Sequence, residues 1–254
     1  MEIITVDANN IEQEHICCAL SDAKGAFGSC AKKSWLKARF KEGLVFKKLN
    51  VRGKVFIEYL PAENAWAPVL APDYLYINCF WVSGQYKGQG YANMLLNECI
   101  ADAKIQGKKG LAVLSSDRKQ PFLSDPRYLK YKGFQIADTA VPYFELLYLP
   151  FEESAPKPSL KNCAKKGSIA RQGLVLYYTD QCPHAGKYAT LLQEIAQGYG
   201  LDFTLFKIEN AQQAQEAPTP YTTYSLFYHG CFITQEIFSE KKFVKFLRQY
   251  SLID

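Results

Sequence analysis

The sequence predicts an α/β chain, more narrowly α+β: a mixed sheet with helices, followed by a small βαβ-ββα unit. Three observations carry this. Strand-like apolar runs alternate with helix-like stretches along all 254 residues. Ala92, Leu95, Leu96, Cys99, Ile100 and Ala103 repeat at the i, i+3, i+4, i+7 spacing of one buried helical stripe. The stretch PFEESAPKPSLKNCAKKG, ending at Gly167, holds three prolines, several lysines and no apolar period. Such a stretch resists packing, so 151–167 is expected to link a domain over 1–150 to a smaller one over 168–254.

The length fits one large domain or two ordinary ones. Hydrophobic residues make up 48% and charged residues 22%, which excludes a disordered chain. The longest apolar run, 74–82, is interrupted by Asn78 and is too short to span a bilayer, so no membrane partner is expected. Thirty Lys and Arg against 25 Asp and Glu leave a net charge of +5. That mild excess fits an anionic ligand and falls short of what nucleic-acid binding needs. The N-terminus shows no basic start before a long apolar core, so no secretory signal is expected. The eight cysteines are then expected to be reduced thiols in a cytoplasmic protein. None forms C-x-x-C and there are only three His, so no metal site is expected.

Element by element, 2–6 reads as a polar strand, and 11–20 and 31–41 as helices. Strands follow over 44–49, 54–60 and 74–82, and the turn at Asn50 to Gly53 joins the first two as a hairpin. A glycine-rich loop leads into a helix from about 91, closed by Gly107 and Gly110. A buried strand (111–114), a short helix (128–131) stopped at Gly133, and strands 134–136 and 144–149 complete the first part. The second part reads strand 174–178, helix 186–197, strand 203–208, a weak helix, strands 224–228 and 231–237, and helix 240–250. His229-Gly230 makes the turn between the last two strands.

The informative run is Trp81-Val-Ser-Gly-Gln85-Tyr-Lys-Gly88-Gln-Gly90-Tyr-Ala92. A helix starting there exposes up to four unpaired N–H groups and about half a positive charge. Gly88 and Gly90 let a bulky anion approach the backbone, and Lys87 adds a flexible charge. Strand, glycine loop and helix N-terminus make a pyrophosphate cradle. The Walker loop is absent, and so is the three-glycine dinucleotide fingerprint.

Gln85-x-x-Gly88-x-Gly90 resembles the coenzyme A signature of the GNAT N-acetyltransferase superfamily, and the order of elements over the first 150 residues matches. Tyr131-Lys-Gly133-Phe134 resembles the ending of that family's fourth helix. The resemblance implies a GNAT acyl-CoA N-acyltransferase fold with a central mixed, mostly antiparallel sheet. It also implies acetyl-CoA as co-substrate. Phe80, Trp81 and Val82 would bond the pantetheine arm where the strand splays from its neighbour. Gln85, Tyr86, Lys87, Gly88, Gln89, Gly90, Tyr91 and Ala92 would hold the pyrophosphate. Ser115, with Ser116 beside it, would reach the coenzyme; a turn or cap role is the alternative.

Acetyl transfer to an amine needs a base for the nucleophile and an acid for the departing thiolate. The family often places that acid, a Tyr, where this sequence has Leu129; Tyr128 and Tyr131 flank it, and Tyr128 is preferred. Glu58 is the base candidate, with Glu63 and Asp73 as loop alternatives, although strand alternation favours a solvent-facing Glu58.

In the second part, Cys182-Pro183-His184-Ala185 places a thiol where a strand hands over to a helix, which lowers a thiol pKa. The element order resembles the thioredoxin fold, and the whole resembles acetyltransferases with a YoaP-like C-terminal domain. Ala185 replaces the second Cys of C-x-x-C, and Thr222 stands where that fold's cis-proline is expected, with Pro218 and Pro220 nearby. Cys231 is a candidate partner for Cys182. The His15-Ile-Cys17-Cys18 run reads as buried thiols, and the basic face of 240–250 as a solvated surface.

The expected function is acetyl-CoA-dependent transfer to a small-molecule or peptide amine by direct attack. A degenerate GNAT scaffold acting as a binding module, and thiol redox chemistry at Cys182, are the alternatives. The acceptor and the oligomeric state, a homodimer included, stay open.

Overall fold

The structure, a computed structural model, describes residues 2–20 and 26–254. The first part runs β1 (Ile3–Val6), α1 (Phe27–Phe40), β2 (Val45–Leu49), β3 (Val55–Pro61), β4 (Val69–Leu70) and β5 (Tyr74–Val82). It continues α2 (Tyr91–Ile105), β6 (Gly110–Ser116), α3 (Pro126–Tyr131), β7 (Gln135–Ala140) and β8 (Phe144–Pro150). Seven strands form one sheet in the order β1-β2-β3-β5-β6-β8-β7. Neighbours are antiparallel except β5 and β6. That parallel pair needs a crossover, which α2 supplies. Its stripe of Leu95, Leu96, Cys99 and Ala103 is buried against one sheet face. Gly107, at φ 65°, ends α2 in the left-handed conformation, with Lys108 N–H closing back onto the Ala103 carbonyl.

The helix expected over 11–20 does not form. The Asp7 carboxylate accepts the N–H groups of Asn9 and Asn10 in a turn, and Cys17 and Ala19 sit at φ 61° and 56°. Ile11, Ile16 and Cys17 are nevertheless buried. Their spacing reflects loop residues that plug the core one at a time.

The second part holds β9 (Ser159–Leu160), β10 (Leu174–Tyr178), α4 (Ala185–Gly198), β11 (Phe203–Lys207) and α5 (Ala211–Gln215). It ends with β12 (Tyr224–Tyr228), β13 (Cys231–Thr234) and α6 (Glu240–Gln249). Its four-stranded sheet has the order β11-β10-β12-β13, parallel between β10 and β11 and antiparallel elsewhere. His229 and Gly230, at φ 45° and 79°, make the two-residue turn between β12 and β13. Among the described residues the one cis peptide is Val141–Pro142, so Thr222 is not preceded by the cis bond of a thioredoxin fold.

The stretch expected to resist packing does pack. β9 pairs antiparallel with β4, Leu160 and Ala164 are buried, and the Tyr74 hydroxyl donates to the Pro156 carbonyl at 2.9 Å. The two parts share one core: Ile208, Ala214 and Ala217 join the cluster that holds Trp35, Phe46, Phe56 and Trp66. The Gln215 amide donates to the carbonyls of Glu63 (3.1 Å) and Ala65 (3.2 Å), and the Gln235 amide to that of Pro121 (3.0 Å). α1 approaches the turn before α4 so closely that a Cβ on Gly28 would lie 1.9 Å from the Pro183 carbonyl oxygen.

Both faces of the central sheet are therefore covered. On β3, Val55, Ile57 and Tyr59 enter the core under α2, whereas Phe56 and Leu60 enter the core beneath α1 and the second part.

Candidate active site

A bulge in β5 organises the site. Glu58 on β3 pairs with Cys79, and Tyr59 with Ile77, which leaves Asn78 as the extra residue. Ile77 packs on the α2 side, but so does Phe80, whereas Tyr76, Cys79 and Trp81 face the opposite side. The pleat thus shifts phase at Asn78. Pairing between β5 and β6 ends at the same place, with Ile77 opposite Val113. Beyond it the two strands diverge, and among the described residues β5 keeps only β3 as a strand partner.

Alternation decides which main-chain groups face that gap. Ser83 N–H bonds the Lys54 carbonyl, so the residues two and four positions back turn their groups toward β3 as well. Those of Phe80 and Val82 turn the other way, into the gap. Trp81, expected to contribute with them, spends its main chain on β3.

The loop after β5 forms a short 3₁₀ turn over Gly84–Tyr86, in which the N–H groups of Tyr86 and Lys87 are consumed. Gly88 (φ 77°) and Gly90 (φ 81°) are left-handed, and a Cβ on either would meet open space. Gly90 is the N-cap of α2, with no side-chain cap bond. Among the described residues, no protein acceptor takes the N–H groups of Gly88, Gln89, Gly90, Tyr91, Ala92 or Asn93. Lys87 makes no ion pair there either. The result is an outward-facing row of donors with a positive helix end behind it. The Tyr86 ring fixes the loop from below: a Cβ on Gly53 would sit 2.3 Å from it, and its centroid lies 6.4 Å from that of Tyr91.

A cleft of about 810 Å³ runs along this loop. Phe80, Trp81, Val82, Tyr86, Lys87, Gly88, Gly90, Tyr91 and Ala92 line it, with Tyr128 and the 119–125 loop opposite. Gln89 lies outside it and donates its amide to the Gln85 carbonyl. Ser115 is also outside: fully buried, it donates to the Ser124 carbonyl at 2.7 Å and so fixes the far wall. Ser116 similarly donates to the Arg118 carbonyl at 2.6 Å.

Tyr128 projects into the cleft, its ring 5.8 Å from Phe80 and its hydroxyl donating to Asn93 Oδ1 at 3.2 Å. Burial pushes its phenol up to about 12. Leu129, at the family's tyrosine position, is fully buried in the α2-side core, and Tyr131 is exposed to solvent.

A second cavity of about 750 Å³ lies on the other side of β5. It shares Phe80, Trp81, Tyr86, Pro121, Leu123 and Ser124 with the cleft, so the two meet at the end of the strand. Gln85 lines this chamber instead of the cleft. Its walls come from both parts of the chain, Gln181 to His184 and Pro220 to Thr223 included.

Glu58 lines the chamber and is 0% exposed, which corrects the solvent-facing reading. Alternation on β3 holds; the face expected to meet water is covered. Lys32, 3% exposed, donates to Glu58 Oε2 at 2.7 Å, and the Asn78 amide donates to Oε1. Sequence reasoning missed both partners. The signal for Lys32 was its place on the buried stripe of α1 with Trp35 and Leu36, three and four residues on. Asn78 was noted only as a break in an apolar run. Glu63 and Asp73 lie on the surface, paired with Lys108 and Lys109.

Cys182 lines the same chamber, beside Cys18 and Cys79. Burial pushes its thiol up, outweighing the His184 and Ala185 N–H groups that act in the other direction. This is opposite to the expected activation. Cys231 is exposed on β13, bridged to Ser168, and does not line the chamber; all eight cysteines are free. Among the described residues no metal cluster exists, and no helix is long and apolar enough to cross a membrane.

A strand that leaves its neighbour, a glycine loop with unspent donors and a helix N-terminus are an arrangement able to grip a long anionic ligand beside a buried polar pair. Residues 22–122 match the Acetyltransferase (GNAT) family, and residues 202–245 match YoaP-like proteins. The chain is 45% identical over 244 residues to the Bacillus subtilis (strain 168) protein named Uncharacterized N-acetyltransferase YoaP, covering 96% of this chain and 97% of that one. The chain belongs to the GNAT acetyltransferase family and is an N-acetyltransferase with a YoaP-like C-terminal part. Among solved structures it resembles a GNAT family acetyltransferase from Brucella melitensis in complex with acetyl-CoA, with 17% identity, 61% of this chain and 91% of that one covered, and a TM-score of 0.39. A GNAT acetyltransferase from Staphylococcus aureus Mu50 shows 14% identity, 59% and 99% coverage, and a TM-score of 0.41.

Proposed function

We propose that the enzyme moves an acetyl group from acetyl-CoA to an amine held in the chamber, by direct attack. One observation carries the reading: the unspent N–H row from Gly88 to Asn93 lies at the mouth of the gap where β5 leaves β6. When bound, acetyl-CoA supplies the acetyl group as a thioester. The donors of the loop, with Lys87, hold the diphosphate. The main-chain groups of Phe80 and Val82 hold the pantetheine arm as an added strand would and aim its end at the boundary between cleft and chamber.

Acid and base stand on opposite sides of β5, as the reaction requires. Glu58 is the one carboxylate among the described residues that lines the chamber; through water it takes the proton that the nitrogen loses as the C–N bond forms. Tyr128, on the cleft side, keeps its proton through neutral pH and gives it to the sulfur as the C–S bond breaks. Eight free thiols support a cytoplasmic setting.

Isothermal calorimetry with acetyl-CoA tests the reading. Binding in the micromolar range is expected for the natural chain. Gly88→Pro cannot adopt φ 77° and loses one outward N–H, so affinity should fall at least about 100-fold while the thermal midpoint moves by only a few degrees. Equal affinity in the two proteins would overturn it.

A further inference from the structure

We propose that the acceptor is a monoamine with a compact apolar body, aromatic or branched, and no second positive charge. This rests on the assignment of the chamber as the acceptor site. The volume of about 750 Å³ suits a small molecule, not a folded protein surface. Its described walls carry nine Phe, Tyr or Trp side chains, with Phe46, Phe56, Trp66, Tyr76, Trp81 and Tyr221 among them.

The charge balance disfavours polycations. Among the described residues Glu58 is the one carboxylate in the lining, and Lys32 already neutralises it at 2.7 Å. Lys54 adds a positive charge at the exposed edge. A di- or polyamine entering this space would bring at least one ammonium that finds no anion, and an unpaired buried charge is strongly penalised. Two of the neutral polar groups are already engaged: the Gln181 NH2 donates to the hydroxyls of Thr179 (3.0 Å) and Thr222 (3.1 Å), and the Thr222 hydroxyl to the Trp66 carbonyl. A neutral oxygen, in any case, offsets a buried ammonium less well than a carboxylate does.

The test compares amines of similar reach on the full chain. Initial rates of thiol release are measured at saturating acetyl-CoA with 2-phenylethylamine, isoamylamine, 1,5-diaminopentane and spermidine. In parallel, each amine is titrated against tryptophan fluorescence without coenzyme, since Trp66 and Trp81 line the chamber. The monoamines should show kcat/KM about 100-fold above the diamine and spermidine, and should quench fluorescence where the polyamines do not. Trp66→Phe should reduce that quench. A diamine or spermidine used as well as the monoamines overturns the proposal, and so does a chamber that neither binds nor acetylates either monoamine. Absent acetyl-CoA binding in calorimetry would instead bring down the catalytic reading, while the fluorescence comparison still decides the chamber's preference.

Discussion

Replacing Glu58 with Gln separates what the buried pair does for the fold from what it does for the reaction. At 2.7 Å and an effective dielectric of about 20, the Lys32–Glu58 attraction is about 6 kcal/mol, which roughly offsets the cost of taking two ions out of water. Removing one partner leaves Lys32 buried without an anion, and such breakage costs about 3–5 kcal/mol. Because Lys32 lines the chamber, water there can reach its ammonium, so the lower end is expected, about 3 kcal/mol. For a chain of this size that is a drop of about 6–12 °C in the thermal midpoint. Lys32→Met in the same protein removes the stranded charge and should restore most of the loss. The assay is denaturant unfolding of wild type, Glu58→Gln and the double variant, with kcat measured on each. If Glu58 takes the proton, the double variant regains stability but not turnover. A Glu58→Gln protein within about 1 kcal/mol of wild type would refute the buried-pair reasoning, and a double variant with wild-type kcat would refute the base.

Tyr128→Phe should lower kcat about 100-fold with little change in acetyl-CoA affinity, and a loss under threefold would sink the acid role. Burial raises Tyr128 and Tyr143 to about 12, above the ordinary phenol near 10. The unfolded chain therefore releases these protons first. Their contribution is constant below pH ~10 and stability falls from about 10 toward 12, which denaturation midpoints across that range will show. Gly28→Ala puts a methyl 1.9 Å from the Pro183 carbonyl oxygen, so α1 and the 182–184 wall must separate; thermal stability should fall and the acceptor KM rise, with acetyl-CoA binding kept. Iodoacetamide should alkylate Cys182 slowly at pH 7, with a rate that climbs only above the pH of an ordinary thiol; rapid labelling at neutral pH would contradict its burial.

Much of this architecture is legible along the chain because local periodicity and burial agree. The predicted strands 74–82, 174–178 and 224–228 form with those limits, and the α2 stripe is buried as spaced. The glycine loop was readable because φ near 80° at Gly88 and Gly90 leaves a residue-type signature. Failures occur where distant segments decide. Ile11 and Ile16 mimic a helical stripe, but a turn at Asp7 seats them. Glu58 looked solvent-facing because a second part of the chain, more than 100 residues away, covers that face of β3. The packing of 151–167 is equally invisible, since its partners are distant in sequence: β4 pairs with β9, the Tyr74 hydroxyl bonds the Pro156 carbonyl, and Leu160 and Ala164 are buried.

The bulge at Asn78 has a consequence for traffic through the enzyme. Cleft and chamber lie on either side of one strand, and Phe80 and Trp81, successive residues, line both. On the proposed reading, an amine in the chamber reaches the thioester through the doorway these two rings share with Leu123 and Ser124. On that reading these rings, together with the room behind them, limit how bulky the group bearing the nitrogen can be. Residue 81 is then where selection would adjust the enzyme to a new acceptor without disturbing its hold on the coenzyme.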